Sequence, residues 1–205
     1  MAIVSTSVFI LHQSTLQIRI WQKILQSHGL TAIALPVSTN LSEQIIAMES
    51  RNMTFPSLIL LDQNLTSFDV AACCRWMETR PQPIPIILLT NQTQKIDPAV
   101  RQMALDNGAA DILPAFDMGT FAIEIVNALK AIAQVVDGLE VDNKLLITCI
   151  MDLKREISTD TPSQAPTKPS VVPTVAPQVS EKEDTSSVEN PSKPQPKRTY
   201  RGRAY

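Results

Sequence analysis

The sequence lacks the features that mark several classes of protein. Its three cysteines, two of them adjacent, do not form the even, spaced set of a disulfide-stabilised fold. No apolar run reaches the roughly 18 residues of a membrane span, and the first residues lack the basic start and long apolar stretch of a signal peptide. With a net charge of −2, the whole chain offers no electrostatic attraction to nucleic acid or to an anionic membrane. We expect a cytoplasmic protein without membrane association.

Potential metal ligands are also sparse. Cys73 and Cys74 are neighbours, and neither they nor Cys149 form a C-x-x-C pattern or combine with His12 or His28 at a spacing that would hold zinc. We therefore expect the cysteines to be small buried residues, and we predict no metal site and no cofactor.

Short apolar runs alternate with stretches of helical period, a pattern that predicts βαβ units and a parallel sheet. Capping patterns at Ser14, Asn40 and Asp97 indicate helix starts, and Gly29 and Gly108 fall where helices should end. Five such units in about 120 residues predict an α/β fold with a flavodoxin-like, doubly wound, five-stranded parallel sheet of order 2-1-3-4-5. The predicted strands are 8–11, 31–35, 57–61, 84–89 and 110–113.

Asp62 directly follows the third predicted strand and is the only carboxylate among the residues that directly follow the predicted strands. The first strand is followed by His12 and Gln13 instead of acids, and the fourth is followed by Thr90. The carboxyl ends of parallel strands form one edge of a sheet, where α/β folds place their sites. Any chemistry of this domain should therefore involve Asp62.

The order of elements from residue 8 to about 135 resembles the receiver (CheY-like) domain of two-component response regulators. That resemblance aligns Asp62 with the phosphoacceptor and Thr90 with the hydroxyl of the output switch. It also aligns His12 and Gln13 with two acidic Mg²⁺ ligands. It further aligns Ala115 with the lysine that pairs with the phosphoryl group, and Ile112 with the aromatic residue of the output switch.

These replacements imply a degenerate receiver. Mg²⁺ prefers hard oxygen ligands, so an imidazole at position 12 and an uncharged amide at position 13 should leave its affinity very low. Ala115 removes the cation that would stabilise added charge. Asp62 then has two open roles: it is either phosphorylated by a histidine kinase, or it is solvated or caps the following loop through backbone N–H groups.

A heptad-like seam follows the predicted receiver-like domain of residues 1–128. It predicts an extended helix over 129–157, although Gly138 should weaken that helix by about 1 kcal/mol. The helix could form a dimeric coiled coil in which Asn143 fixes the register, or it could fold back on its own domain. The seam residues are Leu129, Ile132, Val136, Leu139, Asn143, Leu146, Ile150, Leu153 and Ile157.

The composition changes again after the seam. Residues 158–196 are rich in proline, serine and threonine without periodicity, which predicts a disordered linker. Residues 197–205 form a basic Tyr/Arg peptide that we expect to dock on a protein partner; the alternatives are a solubilising terminus or weak binding to nucleic acid. Its last residues are Tyr200, Arg201, Gly202, Arg203, Ala204 and Tyr205.

The resemblance and these features together predict a signalling adapter without enzyme activity. Protein partners would bind through the receiver face, the helix or the tail, and the seam also allows a homodimer. The first alternative is an atypical response regulator phosphorylated on Asp62 by a histidine kinase. The second is a regulator that binds nucleic acid through its basic tail. A third possibility, a flavin binder, is suggested by the fold alone, and the sequence lacks a phosphate-binding loop after the first strand.

Overall fold

A computed structural model of the chain describes residues 6–117 and 119–159. A five-stranded parallel sheet of order β2-β1-β3-β4-β5 lies at its centre, which confirms the predicted fold class. Strands β1, β3, β4 and β5 are almost entirely buried, whereas β2 lies at the edge. The strands are β1 (Ser7–Leu11), β2 (Thr31–Ala34), β3 (Leu58–Asp62), β4 (Ile86–Leu89) and β5 (Asp111–Leu113).

Helices cover both faces of the sheet and bury two separate apolar clusters. Residues of α1, α5 and α6 pack against one face, and residues of α2, α3 and α4 pack against the other. The alternation of side chains along each strand produces these two layers. The helices are α1 (Thr15–Ser27), α2 (Leu41–Ser50), α3 (Val70–Glu78), α4 (Pro98–Asp106), α5 (Phe121–Val135) and α6 (Asn143–Thr159).

The predicted starts of α1, α2 and α4 and the predicted ends of α1 and α4 are confirmed. Side chains of Ser14, Asn40 and Asp97 each accept a hydrogen bond from a backbone N–H in the first turn of α1, α2 and α4. Gly29 and Gly108 follow the ends of α1 and α4 with φ of +77° and +83°. At Gly108 a Cβ atom would also lie 3.2 Å from the Arg75 backbone, so glycine is needed there both for conformation and for space.

The continuous helix predicted over 129–157 is wrong. The chain leaves the helical conformation after Val135, and Gly138 has a φ of +77°, in the left-handed region. Asp142 then starts α6, because its side chain accepts from the Lys144 N–H at 2.7 Å and its carbonyl accepts the first helical bond, from Leu146 at 2.9 Å. The predicted domain boundary at 128/129 falls inside α5.

The predicted coiled-coil seam is packed inside the domain itself. Helix α6 folds back along α1, where the Lys23 ammonium lies 2.8 Å from the Glu156 carboxylate. Asn143 is exposed in the first turn of α6 and lies in no seam. The seam residues face the core of their own domain, as the fold-back alternative predicted, so in this arrangement they are not available to pair as a dimeric coiled coil. The buried seam residues are Leu129, Ile132, Val136, Leu146 and Leu153, while Leu139, Ile150 and Ile157 are partly buried against the same core.

Two compact units divide the chain, Met1–Ser163 and Gln164–Tyr205. The second unit, and with it the predictions for the linker after Thr159 and for the Tyr/Arg peptide, lies outside the described residues. Within residues 6–117 and 119–159, no helix combines the length and the apolar character needed to cross a membrane.

Candidate functional site

The candidate site lies at the edge of the sheet where β1, β3, β4 and β5 end. Their parallel register brings His12, Asp62 and Thr90 to this edge, and all three side chains are buried. Gln13 is exposed beside them. The tertiary structure thus assembles the residues that the sequence predicted, but it gives each of them a partner within the protein.

The Asp62 carboxylate is 0% exposed, and both of its oxygens accept hydrogen bonds from neighbouring loops. One oxygen, Oδ1, accepts from the Asn64 backbone N–H at 2.9 Å and from the Asn64 amide at 3.3 Å. The other, Oδ2, accepts from the Gln13 backbone N–H at 3.2 Å. The loop-capping role that the sequence left open is the geometry observed, an Asx turn closed by Asn64.

Gln13 ties the loop after β1 to the loop after β3. Its side-chain amide donates to the Asn64 carbonyl at 3.1 Å, while its backbone N–H donates to Asp62. Together with the Asx turn, these bonds close a ring of hydrogen bonds over the carboxylate. Gln13 therefore acts here as a bridge between loops instead of supplying the negative charge that a Mg²⁺ ligand would bring.

His12 is a neutral imidazole in this arrangement. Its Nδ1 atom accepts from the Ser14 backbone N–H at 2.9 Å, so this nitrogen carries the lone pair. Burial lowers the pKa of His12, and the nearby Asp62 only partly opposes that shift. The Nδ1 atom lies 3.6 Å from Oδ2 of Asp62. We regard this as a close approach of two acceptors, since the shorter hydrogen bond from Ser14 already defines the state of Nδ1.

Thr90 and Ala115 are connected to each other through Gln92. The Thr90 hydroxyl donates to the Gln92 carbonyl at 3.1 Å and accepts from the Gln92 N–H at 3.0 Å. The same carbonyl accepts from the Ala115 N–H at 2.9 Å. The hydroxyl is thus engaged with its own loop, and the methyl group at position 115, which is buried, adds no charge.

A buried amide clamps the loop after β5 onto α1. Gln17 donates from its side chain to the Phe116 carbonyl at 3.2 Å and accepts from the Phe116 N–H at 3.2 Å. The Phe116 ring packs against Trp21 with a centroid separation of 4.8 Å. Ile112, at the switch-aligned position, is 4% exposed and belongs to the opposite apolar cluster. The contacts of Gln17 and Trp21 with Phe116 pack the loop after β5 against α1.

The described residues contain no group of three or more histidine, cysteine, aspartate or glutamate side chains that could hold a metal ion. Cys73 and Cys74 are buried in the core as the sequence predicted, and burial raises the pKa of their thiols to about 11 and about 12. Thiols that stay protonated near neutral pH are poor metal ligands. Cys149 is also buried, and its pKa is raised by burial. The donor set at Asp62, one carboxylate with both oxygens already bonded, does not fit the oxygen-rich shell that Mg²⁺ requires.

Sequence reasoning did not identify Asn64, Gln92 or Gln17. Asn64 had a detectable signal, because asparagine two residues after an aspartate at a strand end fits an Asx turn. Gln92 acts through its backbone, and Gln17 through a contact 99 positions away in the chain, so neither left a local pattern. Their roles depend on which loops the fold brings together.

No protein-family model and no curated protein matches the chain. It is similar to solved structures of receiver domains. The receiver domain of a signal transduction histidine kinase from Syntrophus aciditrophicus is 23% identical, with 67% of this chain and 98% of that chain covered and a TM-score of 0.42. The phosphorylated cyanobacterial phytochrome response regulator RcpA is 17% identical, with 64% and 96% covered and a TM-score of 0.48. The receiver domain of a response regulator, NarL, from Mycobacterium tuberculosis is 19% identical, with 63% and 97% covered and a TM-score of 0.45.

The strand order, rather than these matches, defines the class. A parallel sheet of order 2-1-3-4-5 with a carboxylate at the end of β3 is a flavodoxin-like α/β domain with the topology of CheY-like receivers. At its carboxyl edge, the described part of the chain departs from the metal-dependent site that the resemblance implies.

Proposed function

We propose that this chain is a signalling adapter without catalytic activity, built on a pseudo-receiver domain. It would act by presenting fixed surfaces to protein partners. The observation that carries this proposal is the state of Asp62, which is fully buried and already bonded to Gln13 and Asn64. A phosphodonor would have to displace these bonds to reach either oxygen.

The loss of charge partners around Asp62 supports the same proposal. Transfer of a phosphoryl group relies on cations that neutralise its developing charge. At this edge a neutral His12 lies beside the carboxylate, and Ala115 stands at the lysine-aligned position. A phosphoryl group on Asp62 would therefore add charge to a buried site that has no cation from either position, which is energetically costly.

The switch-aligned residues support a static role. Thr90 exchanges two hydrogen bonds with Gln92, and Ile112 is buried. A conformational switch needs two packings of similar free energy, and a ligand or modification that favours one of them. Since the Thr90 hydroxyl is bonded within its own loop, its movement toward Asp62 would break both bonds. We infer that partners bind one constant conformation of this edge.

Helix α6 returns toward the edge of the sheet that carries the candidate site. It runs antiparallel to α1. Glu156, late in α6, pairs with Lys23, whereas Cys149, earlier in α6, is hydrogen-bonded to Ser27, which lies four residues further along α1. Helix α1 begins at the carboxyl edge of the sheet, so the end of α6 is directed toward that edge.

The test is phosphorylation of the full chain with acetyl phosphate and Mg²⁺, read by intact mass. We expect no acid-labile adduct, and we expect capture of partner proteins to be unaffected by Asp62→Asn. An adduct that disappears in Asp62→Asn would replace the adapter with the response-regulator alternative. So would phosphotransfer to Asp62 from a histidine kinase, because either result shows that the carboxylate can be reached.

A further inference from the structure

Strand β2 is an open edge of the sheet. Its Thr31 N–H donates to the Thr6 carbonyl at 3.0 Å, and the Leu35 N–H donates to the Ile10 carbonyl at 2.9 Å. Backbone groups alternate sides along a strand, so those of Ala32 and Ala34 point away from β1. Among the residues that the structure describes, no strand pairs with this side of β2.

Apart from its four-residue length and Pro36 just beyond it, the open edge lacks the usual protection against pairing. Residues 30–37 include no charged side chain, and the strand contains no proline or bulge. Natural sheets commonly guard such edges with lysine, proline or a bulge, because an exposed row of N–H and C=O groups pairs readily with another chain. Ile33, in the middle of the strand, is 39% exposed, and Val37, after the strand, is 41% exposed. The edge is therefore both unpaired and apolar.

We infer that β2 pairs antiparallel with β2 of a second copy of this chain, about a two-fold axis at Ile33. In this register Ala32 lies opposite Ala34 of the second copy, and Ala34 lies opposite its Ala32. Both are hydrogen-bonded pairs, so four N–H···O bonds form. Ile33 then faces its own counterpart in the closely spaced, non-hydrogen-bonded position between them.

A second copy is the fitting occupant because the edge is complementary to itself. The two alanines supply both the donors and the acceptors that the symmetric pair needs, and no charge opposes the approach. If the register shifted by one residue, the outward N–H and C=O groups of one copy would face residues whose backbone groups are already bonded to β1 in the other copy. The hydrogen bonds between the two copies would then be lost. The pairing joins two five-stranded sheets into one of ten. Four bonds and one apolar pair make a small interface, so we expect a Kd on the order of 10–100 μM.

The first experiment is sedimentation of the full-length chain across that concentration range. We expect the wild type to approach twice its monomer mass, and Ile33→Lys and Ile33→Glu each to weaken dimerisation at least about tenfold, since like charges would then face each other. An equimolar mixture of the two variants should recover the dimer as a Lys–Glu heterodimer. This recovery depends on position 33 facing itself, which no other interface would require. The matched control is Met151→Lys, at an exposed apolar position on α6, which should not change association.

A second variant removes one hydrogen-bond donor without altering the pairing with β1. Ala34→Pro deletes an N–H that points outward, and proline is tolerated at such positions on edge strands. We expect loss of the dimer with an unchanged thermal midpoint. A wild type that is monomeric throughout the range, a dimer that resists Ile33→Lys, or a Lys–Glu mixture that stays monomeric would each overturn the proposal. None of these outcomes depends on whether Asp62 accepts phosphate.

Discussion

The Nδ1 atom of His12 lies 3.6 Å from Oδ2 of Asp62, and both side chains are buried to 1% exposure or less. These two atoms are both acceptors, because Nδ1 receives the Ser14 N–H and Oδ2 receives the Gln13 N–H. The pair is therefore held by backbone donors, not by a shared proton. The Asp62 carboxylate is therefore stabilised by the N–H dipoles of Gln13 and Asn64 and not by an ion pair with His12.

The neutral state of His12 predicts a pH dependence of stability. Burial lowers its pKa in the folded protein below the ordinary value of 6.5, with Asp62 partly opposing the shift. As the pH falls through 6.5, the unfolded chain therefore binds a proton before the folded protein does. The free energy of unfolding should decrease from there down to the lowered pKa of the folded state, and then level off with respect to this group. Thermal unfolding between about pH 7.5 and about pH 5 measures the decrease.

His12→Asn provides the matched control for that measurement. The asparagine Oδ1 can accept the Ser14 N–H in place of Nδ1, but it does not titrate. The variant should show a smaller loss of stability than the wild type over the same interval of pH. Equal losses in the two proteins would mean that His12 is not the titrating group, and a gain of stability in the wild type on acidification would show that it becomes the counter-ion of Asp62.

Restoring the acidic ligands should restore metal binding. His12→Asp with Gln13→Asp would place three carboxylates at the carboxyl edge of the sheet. The new carboxylate at position 12 would be buried, because His12 is 2% exposed. Without metal, we expect their repulsion to lower the free energy of unfolding by about 1–3 kcal/mol. Millimolar Mg²⁺ should raise the thermal midpoint of this variant and leave that of the wild type unchanged, because only the variant offers an oxygen-rich site. Phosphorylation should remain poor without Ala115→Lys.

The same double variant carrying Asp62→Asn is the control. Removing the central carboxylate should abolish the rise in thermal midpoint with Mg²⁺, and calorimetric titration should show that binding is lost. A folded double variant that binds no Mg²⁺ would show that residues 12 and 13 are not the ligand positions and that the alignment of β1 is wrong.

The packing of α6 predicts that its buried face matters for stability. Leu153 is 3% exposed in the core shared with α1, whereas Met151, two residues earlier, is 60% exposed. Leu153→Ala should therefore lower the free energy of unfolding by about 2–5 kcal/mol, and Met151→Ala should change it by less than about 0.5 kcal/mol. Urea denaturation measures both. Similar small effects of the two substitutions would indicate that α6 does not stay packed on its own domain.

The Tyr/Arg peptide, which lies outside the described residues, is predicted to hold the main partner. Tyr200→Ala with Arg201→Ala should release that partner in pull-downs with the full chain, because tyrosine and arginine are enriched at binding hot spots. The thermal midpoint of the folded domain should not change. A variant with Lys197→Ala and Arg198→Ala removes two positive charges, whereas the Tyr200 and Arg201 variant removes one, so the comparison separates side-chain recognition from general electrostatic attraction. Unchanged capture by the Tyr200 and Arg201 variant would place the binding surface on the folded domain.

The sheet and the positions of its helices were predictable from the sequence because their signals are local. A buried strand needs only a short apolar run, and a helix start needs only a capping side chain and its neighbours, as at Ser14 and Asn40. The placement of Asp62 at a strand end was predictable for the same reason. The strand order followed from the resemblance and from the rule that βα units wind into a parallel sheet.

Whether the apolar seam packs against another helix or against its own domain depended on tertiary structure. The apolar spacing from Leu129 to Leu153 is the same whether the stripe faces another helix or its own domain, so the pattern could not decide between them. Helix α5 ends at Val135 and Asp142 starts the next helix. The turn between them contains Gly138 in the left-handed conformation and returns α6 onto α1, where its apolar face is buried.

The sequence by itself determined which residues stand at the carboxyl edge: one carboxylate, an imidazole, an amide, a hydroxyl and a methyl group. Only the tertiary structure decided what those groups do, because their partners come from other loops. Asn64 and the Gln13 backbone bond to Asp62, and Gln92 joins Thr90 to Ala115. A buried polar group must find a hydrogen bond, and the groups within reach of it are known only once distant segments have been folded together.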